Sequence, residues 1–282
     1  MQSGIWLPCT QRQADKATVF HMGKILAITN QKGGVGKTTT SINLAAGLST
    51  AGLRVLLIDL DPQGNATMGC GVNKMELENS ACDVLLGDAT AADTIVSPPE
   101  GGFAILPGNA DLTLAEVNLL QEIGREMKLK KALVPVAGLY DFILIDCPPS
   151  INMLTVNALT AADGVLIPMQ CEYYALEGLS SLLNTIEQVR DSVNPDLEMF
   201  GILRTMFDPR VNLSNEVSLQ LIEHFDRKVF RTIVPRNIRL AEAPSFGRPV
   251  LLHDRSSRGA IAYLALAGEI LRREDARLAE AV

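Results

Sequence analysis

From residue 24 onward, short apolar runs alternate with longer stretches of helical periodicity. Residues 24–30 (KILAITN) read as a strand that ends at a glycine cluster. Residues 38–49 then carry Ile42, Ala45, Ala46 and Leu48 at helical spacing, and Ala51 with Gly52 closes that helix. The same pattern predicts strands over 54–60, 103–106, 141–146, 164–168, 199–206 and 228–234. These runs are nearly continuous in apolar residues rather than alternating, which suits a mostly parallel sheet covered by helices on both faces. Such sheets place their ligands at the carboxyl ends of the strands. Residues 71–102, with Pro98-Pro99 and Gly101-Gly102, read as an irregular insertion or helical excursion. Residues 259–282 read as a terminal helix with Ile261, Leu264, Leu266 and Leu271 on its apolar side.

Composition supports this picture and narrows it. A chain of 282 residues with 47% hydrophobic content builds a sizeable core and is not a disordered chain. No linker or internal repeat divides it, so one α/β domain over residues 23–282 is expected. Residues 1–22 are expected to be a loose extension, or a start upstream of Met22, and not a secretory signal. The longest apolar stretches fall short of the ~18–20 residues that a membrane helix needs. Five scattered cysteines (Cys9, Cys70, Cys82, Cys147 and Cys171) have neither disulfide-framework nor metal-ligand spacing, and point to a reducing cytoplasm. With 25 basic and 32 acidic residues the net charge is −7, which excludes a uniformly basic coat. The charge is segregated, however. Residues 201–258 hold ten Lys/Arg against six Asp/Glu, a net of +4, and the remainder holds 15 against 26, a net of −11. A weak, sequence-independent binder of phosphate backbones needs such a division. No helix-turn-helix or zinc-finger pattern offers base readout.

The sharpest chemical signal is QKGGVGKTT at residues 31–39, between a buried strand and a helix. Glycines at 33, 34 and 36 let backbone N–H groups converge on phosphate oxygens, and the following helix points its positive end at the same anion. Lys37 supplies charge for the β- and γ-phosphates, and the Thr38 hydroxyl is placed for magnesium. The pattern departs from the usual loop, because position 31 is glutamine and Lys32 adds a second lysine. Lys32 is either a solvated loop charge or a group that reaches a second subunit's nucleotide in trans. A dinucleotide site is the competing reading. It is disfavoured because Thr39 replaces the third glycine and Lys37-Thr38 would have no role. Asp59, Asp61 and Asp146 all fall at strand ends near the loop. Asp146 can hold the magnesium, Asp61 can orient an attacking water, and Asp59 is open between site electrostatics and turn capping.

Taken together, these residues resemble the ParA/Soj family of partitioning ATPases, among the deviant Walker A (SIMIBI-class) P-loop NTPases. The likeness runs through KGGVGKTT at 32–39, DLDPQGN at 59–65, DCPPS at 146–150, PMQCEYYALEGL at 168–179, VPRNIRLAEAPSFG at 234–247 and DRSSRGAIAY at 254–263, and so covers roughly residues 24–270. It implies a single three-layer P-loop NTPase domain that binds ATP and Mg²⁺. It implies that Lys32 crosses an ATP-bound homodimer, that Gly33, Gly34, Val35, Gly36, Lys37, Thr38 and Thr39 form the phosphate and magnesium site, and that Asp61 and Asp146 serve hydrolysis and the metal. Met206, Pro235 and Asn237 would lie near the adenine. Arg210 and Arg239 match arginines that contact double-stranded DNA, without sequence preference, in similar proteins. A ParB-type centromere-binding partner would stimulate slow hydrolysis and release a nucleoid-associated, cytoplasmic protein from DNA.

Three rivals make different demands. A membrane-associated positioning ATPase of the MinD type needs a basic amphipathic tail, whereas residues 271–282 mix Arg272, Arg273 and Arg277 with Glu274, Asp275 and Glu280. A nitrogenase-type reductase needs paired cysteines for an iron–sulfur cluster, and Cys147 reads instead as a small buried apolar residue. A non-enzymatic DNA scaffold leaves Lys37 and Asp61 without a purpose. EYYALEGL is part of the ParA/Soj likeness; its plainest alternative reading is an amphipathic helix start that packs Tyr173, Tyr174 and Leu176.

Overall fold

The computed structural model describes residues 23–280. The extension expected over residues 1–22, and Cys9 within it, lie outside the described residues. Seven strands form one sheet: β1 (Lys24–Ile28), β2 (Val55–Asp59), β3 (Ala104–Leu106), β4 (Phe142–Asp146), β5 (Gly164–Gln170), β6 (Glu198–Phe207) and β7 (Val229–Pro235). Their spatial order is β3-β2-β4-β1-β5-β6-β7, and every neighbouring pair is parallel. All seven expected strands are present. Parallel pairing forces each connection to cross a face of the sheet, and helices supply the crossings.

The chain first builds outward from β1 to β2 and β3, returns to insert β4 beside β1, and then builds the other way through β5, β6 and β7. The direction of growth therefore reverses at β1. Connections diverge there and leave a crevice at the carboxyl end, which is where the glycine loop emerges.

Among the described residues, twelve α-helices cover the sheet. On one face lie α1 (Lys37–Thr50), α2 (Asn65–Gly69), α10 (Ile238–Glu242), α11 (Val250–His253) and α12 (Arg258–Glu280). On the other lie α3 (Ala81–Leu86), α4 (Ala91–Thr94), α5 (Leu112–Leu119), α6 (Lys128–Ala137), α7 (Met153–Ala161), α8 (Ala175–Ser192) and α9 (Asn212–Phe225). The middles of the central strands are apolar on both sides because each feeds both cores. Leu26, Ile28, Leu57 and Leu144 point into the first, and Ala27, Ile58, Ile143 and Ile145 into the second. Each such leucine or isoleucine, fully buried, contributes roughly 1.5–3 kcal/mol from lost apolar surface.

The segment 71–102 is a helical excursion, as expected. Its α3 starts with a capping box in which the Ser80 side chain and Asp83 satisfy each other's backbone N–H groups. One antiparallel bridge, Val96 to Ile105, ties it to the sheet edge. The expected packing of Tyr173 and Tyr174 is not observed. Leu176 is part-buried against the core, but the two tyrosines are 73% and 71% exposed and contact each other edge-on at 5.0 Å. They precede α8, so the helical stripe that buries Ala175, Leu179 and Leu182 does not include them.

Two glycines in equivalent-looking sequence should respond oppositely to alanine. A Cβ on Gly201 in β6 would lie 2.6 Å from the Phe230 ring and 2.9 Å from the Lys228 carbonyl, whereas one on Gly178 in α8 meets nothing within 4 Å. Gly201→Ala is expected to destabilise by about 1–3 kcal/mol. Gly178→Ala is expected to stabilise by up to about 1 kcal/mol. Urea unfolding of the two variants checks both signs.

Candidate functional site

The loop between β1 and α1 is braced from below. The Asn30 side chain donates to the Pro168 carbonyl (2.8 Å) and accepts from the Lys32 backbone N–H (3.0 Å). Val35 is buried beneath the loop and anchors it. Gly34 (φ 73°) and Gly36 (φ 88°) adopt left-handed backbone that side chains disfavour, so the chain can wrap a small hollow. Among the described residues, no protein acceptor takes the backbone N–H groups of residues 33–39, although the flanking groups are bonded: Lys32 to Asn30, and Thr40 to the Gly36 carbonyl (2.9 Å). Seven convergent donors without acceptors, at the positive end of a helix, make an anion cradle. Lys37 stands in the same hollow. Its ammonium is 3.4 Å from the Lys32 carbonyl, and burial holds its pKa below the ordinary lysine value while Asp146 pulls the other way.

Asp59 and Asp146 sit opposite one another at the ends of β2 and β4, both fully buried. Asp146 accepts the Thr38 hydroxyl at 2.7 Å and the Ser41 hydroxyl at 2.8 Å, one on each carboxylate oxygen. Thr38 and Ser41 are three residues apart on α1 and therefore share a face. Asp59 accepts from the Thr67 N–H (2.8 Å), the Thr67 hydroxyl (2.7 Å) and the Asp61 N–H (3.2 Å). Those bonds organise the turn from β2 into α2, while the carboxylate also faces Asp146 across the strand ends. Burial pushes both carboxyls above the usual range, and at Asp146 the neighbouring Asp59 pushes further in the same direction. Asp61 lies on the cavity wall, where its Oδ1 accepts the Gln63 N–H at 2.9 Å.

The cavity encloses about 520 Å³ between the loop and the segment after β7. Of the candidate residues, Gly33, Gly34, Gly36, Lys37, Thr38, Thr39, Asp61, Met206, Pro235 and Asn237 line it. Asp146 stands one layer behind Thr38, and Val35 lies under the loop. Met206 is one of two non-glycine residues with positive φ among those described (48°), and Asn237 caps α10 by accepting the Arg239 N–H at 3.0 Å. Lys32 points away from the hollow and pairs with Glu172, both side chains being nearly half exposed. Ser41, Thr205 and Tyr263 were not legible as site residues. Thr205 and Tyr263 come from strand and helix positions far along the chain, and only their place on the cavity wall marks them.

The two candidate DNA arginines lie outside the cavity. Arg210 is bidentate to Asp208 (2.9 and 2.7 Å), and Arg239 bonds Glu242 (2.8 Å) and lies 3.4 Å from Asp254. Cys147 is buried beside Asp146, and burial pushes its thiol pKa far up. Cys70, Cys82 and Cys171 are likewise free and buried, and no group of three or more metal-binding side chains occurs among the described residues. No described helix is long and apolar enough to cross a membrane.

A family model described as an AAA domain matches residues 23–199. The sporulation initiation inhibitor protein Soj of Bacillus subtilis is 53% identical over 249 residues, which span 88% of this chain and 98% of that protein. The chromosome partitioning protein ParA of Caulobacter vibrioides is 50% identical over 260 residues, 92% of this chain and 97% of that one. Among solved structures, cobyrinic acid a,c-diamide synthase from Mycobacterium smegmatis with bound ADP and magnesium aligns with a TM-score of 0.79 at 40% identity, covering 90% of this chain and 96% of that one. The cell division ATPase MinD of Pyrococcus furiosus aligns with a TM-score of 0.74 at 26% identity, over 89% of this chain and 99% of that one. An acceptor-free glycine loop at the sheet's reversal point, with such relatives over nine-tenths of the length, places the molecule: the chain belongs to the ParA/Soj family of chromosome-partitioning ATPases.

Proposed function

We propose that this protein is a DNA-partitioning ATPase that binds Mg-ATP in the 520 Å³ cavity, pairs with a second copy while the γ-phosphate is present, and in that state holds double-stranded DNA without sequence preference. The observation that carries the reading is the run of seven backbone N–H groups without acceptors beside the buried Lys37 ammonium. Backbone N–H groups left free at the start of a helix, beside a buried cation, favour an anion, and a triphosphate satisfies this set. The carboxylates fit a divalent cation equally well. Asp146 is buried next to another acid with only hydroxyls as partners, an arrangement that a positive ion relieves. Thr38 and Asp146 would hold magnesium, which when bound neutralises charge on the β- and γ-phosphates.

The protein's own groups divide the remaining work. The N–H groups of residues 33–39 hold phosphate oxygens, and Lys37 adds fixed charge. Asp61, on the cavity wall, orients the attacking water. Met206, Pro235 and Asn237 enclose the base. Lys32 leaves Glu172 and crosses to the partner copy's nucleotide. Positioning alone gives modest rates, so hydrolysis is slow until a ParB-type centromere-binding partner accelerates it and DNA is released. The working location is then the nucleoid, in the cytoplasm.

For DNA, Arg210 and Arg239 exchange their carboxylate partners for phosphates. Exposed ion pairs are worth about 1 kcal/mol or less in water, so the exchange is easy. Arg231, Arg236, Arg255 and Arg258, from the same basic stretch of sequence, are exposed and add to the positive charge. A MinD-like membrane role has no comparable support, since residues 271–282 set three arginines against three acids and so lack the basic amphipathic tail it needs.

Calorimetry with Mg-ATP should show Lys37→Ala losing binding altogether, whereas Lys32→Ala keeps it but no longer dimerises in light scattering. Equal ATP-dependent dimer formation by Lys32→Ala and wild type sinks the trans role. DNA should be retained with ATP or a non-hydrolysable analogue but not ADP, with affinity falling steeply across a salt series; Arg210→Ala with Arg239→Ala should weaken it for all sequences alike. The buried acids set a pH dependence. Carboxyls whose folded pKa is raised stabilise the fold at pH below about 4, and that stability is lost as pH climbs through the higher folded values. The ligand-free thermal midpoint should therefore fall between pH 5 and pH 8, and fall less in Asp146→Asn.

A further inference from the structure

We infer that Thr205 is a positioning residue for phosphate binding: its buried hydroxyl fixes one peptide plane of the glycine loop so that the Gly36 N–H faces the cavity. The inference rests on the reading of that cavity as a nucleotide site and adds to it a residue with no place in the loop's own sequence.

The contact joins positions 170 residues apart. Thr205 on β6 is buried, and its Oγ1 donates to the Val35 carbonyl at 2.7 Å. Val35 stands between two glycines with left-handed backbone, Gly34 and Gly36, and space for a Cβ is open at Gly34. The plane that joins the Val35 carbonyl to the Gly36 N–H turns about the Val35 ψ and the Gly36 φ, and Gly36, with no Cβ, leaves the second of these free, so a contact is needed to hold the plane. Orientation of that plane decides what the cavity presents. In a trans peptide the C=O and N–H point in opposite directions. With the Val35 oxygen held toward β6, the Gly36 N–H is aimed the other way, and it has no acceptor among the described residues. A reversed plane would withdraw that donor and turn a carbonyl oxygen toward the incoming phosphate, where it repels. The Thr205 hydroxyl also gives the Val35 oxygen the partner that a buried carbonyl requires.

The strand is shaped for this contact. The register of β6 against β7 jumps between Arg204 and Phe207, and Met206 takes φ 48° inside that jump. The irregular step brings both Thr205, its hydroxyl against the loop, and Met206 to the cavity wall. Just before it, the buried Arg204 guanidinium donates to the Ser218 hydroxyl (2.8 Å) and the Phe230 carbonyl (2.9 Å), which clamps β6 to α9 and β7.

The test compares Thr205→Val, which keeps the shape and removes the hydroxyl, with Thr205→Ser, which keeps the hydroxyl, by titration calorimetry with Mg-ATP and Mg-ADP. The valine variant is expected to bind both nucleotides about tenfold more weakly, a loss of ~1.4 kcal/mol that matches one hydrogen bond. The serine variant is expected to stay within about twofold of wild type. Should valine fail to fold, Thr205→Ala provides the same contrast against serine. Valine binding as tightly as wild type, or serine binding as weakly as valine, overturns the positioning role while leaving the nucleotide site intact. A wild-type protein that binds no adenine nucleotide overturns the site reading itself, and this inference with it.

Discussion

The buried carboxylate of Asp146 is the fixed point of the molecule. Its two oxygens take one hydroxyl each from Thr38 and Ser41, and so pin the first turns of α1 to the end of β4, the strand next to β1. Pinning that helix fixes where the glycine loop begins and ends. Once both ends are held, and Val35 is buried between them, the loop has little choice but to turn its N–H groups into the crevice. The reversal of strand order at β1 keeps that crevice clear of crossover connections.

The same arrangement is poor in stability terms while the cavity holds no counter-charge. Asp146 and Asp59 are adjacent buried acids, Lys37 is a buried cation, and seven backbone donors lack acceptors. The buried charges carry a recognised penalty, and the free N–H groups add an unneutralised positive field. Together they form a site whose deficits are complementary to one object, a polyanion with its cation. Binding such a ligand to the folded chain and not to the unfolded one raises stability by linkage. The sheet carries this strain because two extensive apolar cores, one on each face, hold the strand ends in place.

Around the rim, charges wait in provisional pairs. Lys32 rests on Glu172, Arg210 on Asp208, and Arg239 on Glu242 and Asp254, all of them solvent-exposed. Pairs of that kind hold a side chain in place at small energetic cost and yield to a stronger or better-placed anion. The proposed cycle uses this property twice, once when Lys32 moves to a second copy's nucleotide and once when the arginines meet a phosphate backbone. The exposed Tyr173–Tyr174 pair directly follows Glu172, on the same side of the molecule as Lys32.

The seven strands, the glycine loop, its lysine and the acid closing β4 were all legible in the sequence, because each is written in contiguous residues: an apolar run of strand length, a glycine spacing, an aspartate at a run's end. Local pattern is enough where the physics is local. It was silent on Ser41, whose partner is 105 residues away, and on Thr205, whose partner is 170 residues away. It left Asp59 open between turn and site, and it did not show that Thr67 bonds that carboxylate or that Tyr173 and Tyr174 stay outside the core. A single hydroxyl or ring carries no periodic signature. Its role is set by whichever strand the topology brings alongside, and that choice belongs to the sheet order, which only the folded chain decides.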